Sequence, residues 1–239
     1  MKTYMMKPAR APKKLLAPPP DDRAARGPLK LLVMRPVAIQ AAVRAIDHLI
    51  AADDRGAKST SARNGRPLTV AAAAGTAAHH GFELANGVGL VFQPELGLPA
   101  AAALWTAQLV GWAALANRAG ARADAALALF DGASLAGAAV HFLLWPWRTG
   151  PLRLPVLSEA EGLSPRLLPA YNTILWAWAA AAAASLVWEI PRGSRRWALV
   201  GLGNLPGFAV SARHHFRWIK EQAAVDPAWW NRGVVERAP

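Results

Sequence analysis

The pattern of apolar and polar positions divides the chain near residue 67. Residues 1–29 are dense in Lys, Arg and Pro and include the run Pro18-Pro19-Pro20. Such a segment cannot bury a core, and it reads as a disordered basic tail. It is not read as a secretory signal, because no apolar core and cleavage site follow at the usual distance. Residues 30–66 read as an amphipathic helix over 30–51 followed by a polar linker. Gln40, Arg44, Asp47 and His48 share one face of that helix, and Ile39, Ala42, Val43, Ile46, Leu49 and Ile50 the other. A helix with two faces of this kind lies along a membrane surface; docking on a cytoplasmic neighbour is the alternative.

Beyond residue 67 the apolar positions run together. Four stretches, 67–93, 98–115, 123–145 and 168–190, each have about the 20 residues that a membrane-spanning helix needs. Tryptophans fall near several of their ends, as in an interfacial belt. A fifth stretch, 197–212, is interrupted by Gly201, Gly203, Asn204, Pro206 and Gly207 and reads as a broken, re-entrant or interfacial segment. The predicted fold class is therefore all-α: a polytopic membrane bundle of four spans, with a fifth left open, over 67–212. A basic C-terminal tail occupies 213–239.

Charge turns this pattern into an orientation. The net charge of +12 is confined to the tails and the loops between apolar runs. This favours anionic headgroups and the positive-inside rule over nucleic acid. With four spans, both termini fall on the cytoplasmic side of the plasma membrane. Cysteine is absent, which removes disulfides, thiolate metal sites and dithiol chemistry. No P-loop, dinucleotide fingerprint or zincin motif is present. No metal and no cofactor is expected on these grounds.

The first apolar stretch is unusual in what it carries. His79, His80, Glu83 and Asn86 lie on one side of a helix at membrane depth. Ionisable groups there cost a few kcal/mol and are functional candidates by default. Depth counting adds His141, Tyr171 and Asn172 to the outer half, with Gln108 near the middle of the second stretch. Asp131 falls at an inner level, and Glu189 at the inner end. The catalytic candidates are Glu83, Asp131 and His79, because a carboxyl in an apolar site tends to hold its proton and can donate it. The substrate-binding candidates are His141, Tyr171, Asn172, Trp105, Trp176 and Gln108; Trp112 and Trp178 are further candidates for a cavity wall. His80 and Asn86 read as packing residues, Glu189 as an interfacial ion-pair partner of Arg192, and His214, His215, Arg217, Trp218 and Lys220 as a headgroup-facing cluster.

The run His80-Gly-Phe82-Glu83-Leu, with a second buried acid, resembles the small integral-membrane terpene cyclases of meroterpenoid pathways. The spacing from His79 to Glu83 is similar to a pattern in emopamil-binding-type sterol isomerases. Both resemblances imply carbocation chemistry on an isoprenoid or other lipid, started by protonation in an intramembrane cavity without metal. Indole faces would stabilise the cation. Other readings stay open on the sequence. One is a non-catalytic subunit or scaffold, with a protein partner on the basic N-terminal region. Another is a proton-coupled transporter; a third is a b-type haem protein ligated by His79 or His80 with His141.

Overall fold

A computed structural model describes residues 65–235. The tail over 1–29, the helix expected over 30–51 and nearly all of the linker lie outside the described residues. What is described is mostly helical. Three helices are long and apolar enough to cross a membrane by length and composition: Leu98–Leu115, Ala121–Leu144 and Leu168–Trp188.

The first helix, α1 (Pro67–Ala85), starts with proline in its first turn, where the missing N–H costs nothing. Its free backbone donors are taken from outside the helix. Glu189 accepts from the Leu68 N–H at 2.7 Å and the Thr69 N–H at 2.8 Å, and from the Thr69 hydroxyl at 3.0 Å. Glu189 thus caps α1, an assignment different from the expected pairing with Arg192. Arg66 and Asp124 form an ion pair at the same end.

α1 stops at Ala85, short of the expected 93. The Val88 N–H bonds to the Glu83 carbonyl at 2.9 Å and the Gly87 N–H to the Leu84 carbonyl at 3.1 Å. Gly87 has φ +76°. These are the two bonds of a Schellman stop, with glycine in the left-handed position that suits it. Asn86 caps its own helix through a 2.7 Å bond to the Phe82 carbonyl.

After one turn of helix, α2 (Gln93–Leu96), the chain enters α3 (Leu98–Leu115). Only 6% of α3 is fully buried; a half-buried stripe with Trp105, Leu109 and Trp112 meets the bundle and the rest of its apolar surface faces outward. α4 (Ala121–Leu144) is the central helix. It leads to a hairpin of β1 (Trp147–Thr149) and β2 (Pro155–Leu157), antiparallel with Trp147 opposite Leu157. α5 (Leu168–Trp188) then runs back beside α1.

The broken fifth stretch becomes α6 (Trp197–Leu202) and α7 (Leu205–Val225). α6 lies on α4 at backbone contact. A Cβ on Gly132 would fall 2.1 Å from the Ala198 carbonyl oxygen, and one on Gly201 2.2 Å from the Leu129 carbonyl oxygen. Glycine is required at this crossing because two backbones occupy the room of one side chain. α7 then travels to the far end of the bundle, placing the expected boundary at residue 212 inside a helix. There Phe216 meets Trp145, Lys220 pairs with Glu161, and His215 donates to the Val88 carbonyl at 2.8 Å. A last turn, α8 (Arg232–Val235), closes on the loop after α1 through a 3.1 Å bond from the Gly233 N–H to the Gly87 carbonyl. Val88, Leu163, Tyr171, Trp178, Phe216 and Ile219 form the core at this end.

Candidate functional site

Glu83 sits in the last turn of α1, nearly buried. α5 supplies Tyr171, fully buried, whose hydroxyl donates to Glu83 Oε1 at 2.5 Å. That length belongs to charge-assisted O–H···O⁻ bonds. Three imidazoles surround the same carboxylate. His79 Nε2 is 3.5 Å from Oε2, His80 Nδ1 3.9 Å from Oε2, and His141 Nε2, from α4, 3.8 Å from Oε1. These separations exceed ordinary hydrogen-bond lengths.

The rings are held from behind. His79 stacks on Trp178 at 5.2 Å between centroids, His80 lies 3.9 Å from Trp105, and His141 stacks on Trp145 at 5.2 Å. His141 is fixed further by a 2.7 Å bond between Nδ1 and the Gly137 carbonyl. A carbonyl only accepts, so Nδ1 carries the hydrogen. In the neutral ring, Nε2 then presents a lone pair to the Glu83 carboxylate.

The cluster forms one pole of a cavity of about 290 Å³ between α1, α3, α4, α5 and α7. Its walls are mainly apolar, with Phe92, Trp105, Phe130, Trp178 and Phe208 among them and Gln108, Ser134 and Asn204 as polar points. Of the expected site residues, Glu83, His79, His141, Trp105 and Gln108 line this cavity, and Tyr171 reaches it through Glu83. His80, read from sequence as packing, lines it too.

The other candidates lie elsewhere. Asp131 is fully buried beside Ser185 and towards Glu189, ten residues below His141 on α4. At about 1.5 Å per residue it is about 15 Å away along the helix. Asn172 uses its side chain on the Leu157 backbone, accepting from the N–H at 2.7 Å and donating to the carbonyl at 3.2 Å. Trp176 donates to the Pro155 carbonyl at 2.8 Å. Both anchor the hairpin to α5 and are not among the cavity's lining residues.

Sequence reading missed the contribution of α7. Phe208, Ala212, His215, Phe216 and Ile219 recur at helical spacing, and the first four line the cavity. That stripe was legible, but the glycines and proline before it drew attention to a break. His215 in particular points inward to Val88 and does not join a headgroup cluster. No family model, curated protein or solved structure matches the chain.

Proposed function

We propose that this is an integral-membrane enzyme that acts on an isoprenoid or similarly apolar lipid by proton transfer at Glu83. The observation that carries the reading is a largely apolar cavity whose one polar pole is a carboxylate ringed by a tyrosine and three histidines. Binding sites are typically apolar pockets of about 300–1,000 Å³ with a few convergent polar groups. A cavity of about 290 Å³ suits a short prenyl segment. Trp105, Trp145 and Trp178 offer indole faces along it, which attract developing positive charge.

The chemistry assigned to Glu83 differs from that of a resting acid. A carboxylate that accepts a short tyrosine bond works as the anionic partner of a proton held on an imidazole, with His79 and His141 on its two oxygens. The proton donor in this reading is the histidine side of the cluster, with Glu83 orienting and recharging it. Asp131, at its separate level, is assigned a packing role.

The helix ends support one membrane arrangement. α1, α3, α4 and α5 are read as full crossings and α6 with α7 as a return segment. Arg66 and Gly233 then lie at opposite faces, in place of two termini on one face. Fourteen of the 27 Lys and Arg residues lie in the sequence at or before Arg66, so the side on which α1 begins is read as cytoplasmic in the plasma membrane. The Glu83 cluster belongs to the outer half.

The test is Glu83→Gln, which keeps shape and removes the charge. Lipid extracts of cells carrying the wild-type protein should contain a product absent from cells carrying the variant. Full product formation by the variant sinks the proposal.

A further inference from the structure

We infer that His79, His80, Glu83 and His141 form a binding site for one divalent first-row transition-metal ion of the zinc type. The inference takes the cluster to be the working centre, as the proposed function does, but it does not depend on the substrate being a lipid. It departs from the expectation of a metal-free protein that the sequence raises.

Four observations converge. First, the donor atoms of His79, His80 and Glu83 all lie within 4.8 Å of one another. Their separations from the carboxylate, 3.5 and 3.9 Å, and that of His141, 3.8 Å, are too long for hydrogen bonds. Ligands about 2.0–2.1 Å from a tetrahedral ion stand about 3.3–3.4 Å apart, so a small inward movement of four side chains closes the shell. Secondly, His80 Nδ1 is buried without a hydrogen-bond partner and faces Glu83 Oε2. A donor atom in that state costs free energy unless something occupies the space between.

Thirdly, His141 and Glu83 have the outer contacts that metal ligands use, whereas His79 Nδ1 is buried without one. A ligating histidine gives its other ring N–H to a carbonyl, and a ligating carboxylate is itself hydrogen-bonded. His141 Nδ1 donates to the Gly137 carbonyl and Tyr171 donates to Glu83. In the neutral ring this turns the His141 Nε2 lone pair towards the carboxylate, an arrangement that a cation between them would relieve. Fourthly, Glu83 stands in the last turn of α1, at the negative end of the helix dipole. A buried anion there is doubly unfavourable until a positive charge joins it. Imidazole and carboxylate, with cysteine absent from the chain, suit zinc and its neighbours and not a soft thiophilic ion.

Four ligands fill a tetrahedral shell, and a ligating nitrogen cannot also carry the donated proton. In the metal-bound protein that proton would come from a water joining as a fifth ligand on the cavity side, its pKa lowered by coordination, with hydroxide left on the metal.

The experiment uses the full-length chain, purified in detergent without a polyhistidine tag. Elemental analysis should find about one equivalent of a divalent metal per chain. After chelation, Co²⁺ titration should restore about one equivalent with visible d–d absorption of a low-coordinate site. His79→Ala and His141→Ala should abolish this tight binding, whereas His214→Ala, an exposed histidine outside the cavity, should leave it intact. Tyr171→Phe removes only the hydroxyl on Glu83 and should weaken Co²⁺ affinity about 10–100-fold; it carries the test if a histidine variant fails to fold. The inference is overturned if the wild-type chain binds Co²⁺ no better than His141→Ala, or if Tyr171→Phe binds it with wild-type affinity. Either result leaves the proton-transfer reading, which is judged by lipid products, untouched.

Discussion

Asn172 was expected to touch substrate, yet its side chain is spent on the backbone of Leu157 and Leu168. Losing buried hydrogen bonds of this kind costs about 1–3 kcal/mol. Asn172→Ala should therefore lower the detergent-solubilised unfolding midpoint while leaving the product profile of the folded fraction unchanged. A changed profile at unchanged stability would return Asn172 to the site. At this scale the sequence was informative about Glu83, because a carboxyl and two histidines inside an apolar run are conspicuous. It was uninformative about Tyr171 as the partner of Glu83. That pairing joins residues 88 positions apart and depends on how α1 and α5 are rotated. Depth counting placed the two at one level but could not say which way the hydroxyl turns. It put His79 and His80 on one side with Glu83, since three and four residues along a helix are both within reach, and the packing role read for His80 sits beside its place in the cavity wall.

Helix packing is tightest where α6 crosses α4. Added carbon at Gly132 would meet the Ala198 carbonyl, and at Gly201 the Leu129 carbonyl. Neither neighbour is a flexible side chain that can swing aside. Overpacking commonly costs about 1–3 kcal/mol, and these two positions should reach or exceed the top of that range. Gly132→Val and Gly201→Val should each yield protein that aggregates on extraction, while Gly207→Ala, with nothing within 4 Å, should behave as wild type. The end of α1 is a second element-level matter. Asn86-Gly87 is a stop signal that the sequence displays openly, but a continuous apolar run read for membrane length hides it. The start of α1 is different. It is capped by Glu189, the residue that follows α5, a pairing across 120 residues that no local pattern reveals. Glu189→Ala should cost about 0.5–2 kcal/mol, as loss of a helix cap does, read as a lower midpoint on thermal unfolding in detergent.

For the molecule as a whole, apolar runs of the right length made the helical class and three of the long helices legible. The route of the last 40 residues was not. Charge counting favours termini on one face, because basic residues after 212 add to the cytoplasmic total only in that arrangement. The contacts of α7 and α8 with the far end of the bundle favour opposite faces. The proposed arrangement takes packing as the stronger constraint and reads α7 and α8 as returning to the side where α1 ends. A reporter fused after Pro239 should accordingly be accessible to membrane-impermeant reagents in intact cells. Protection of such a reporter, with no labelling until the cells are lysed, would restore the four-span arrangement. The almost unburied α3 makes a simpler demand: the protein should resist alkaline carbonate extraction and leave the membrane only with detergent.

The bond from Gly233 to Gly87 has a meaning in time as well as in space. Synthesis passes Glu83 long before it reaches Gly233, 150 residues later. At about 5–20 residues per second that interval is roughly 8–30 s. Throughout it, the loop that ends α1, the helix that holds a carboxylate and two histidines, waits for its last clamp. A nascent chain in that condition is what insertases shelter and membrane proteases remove. The order of translation thus makes the Gly233 clamp a checkpoint: chains in which it cannot form should be cleared before the end of α1 is secured.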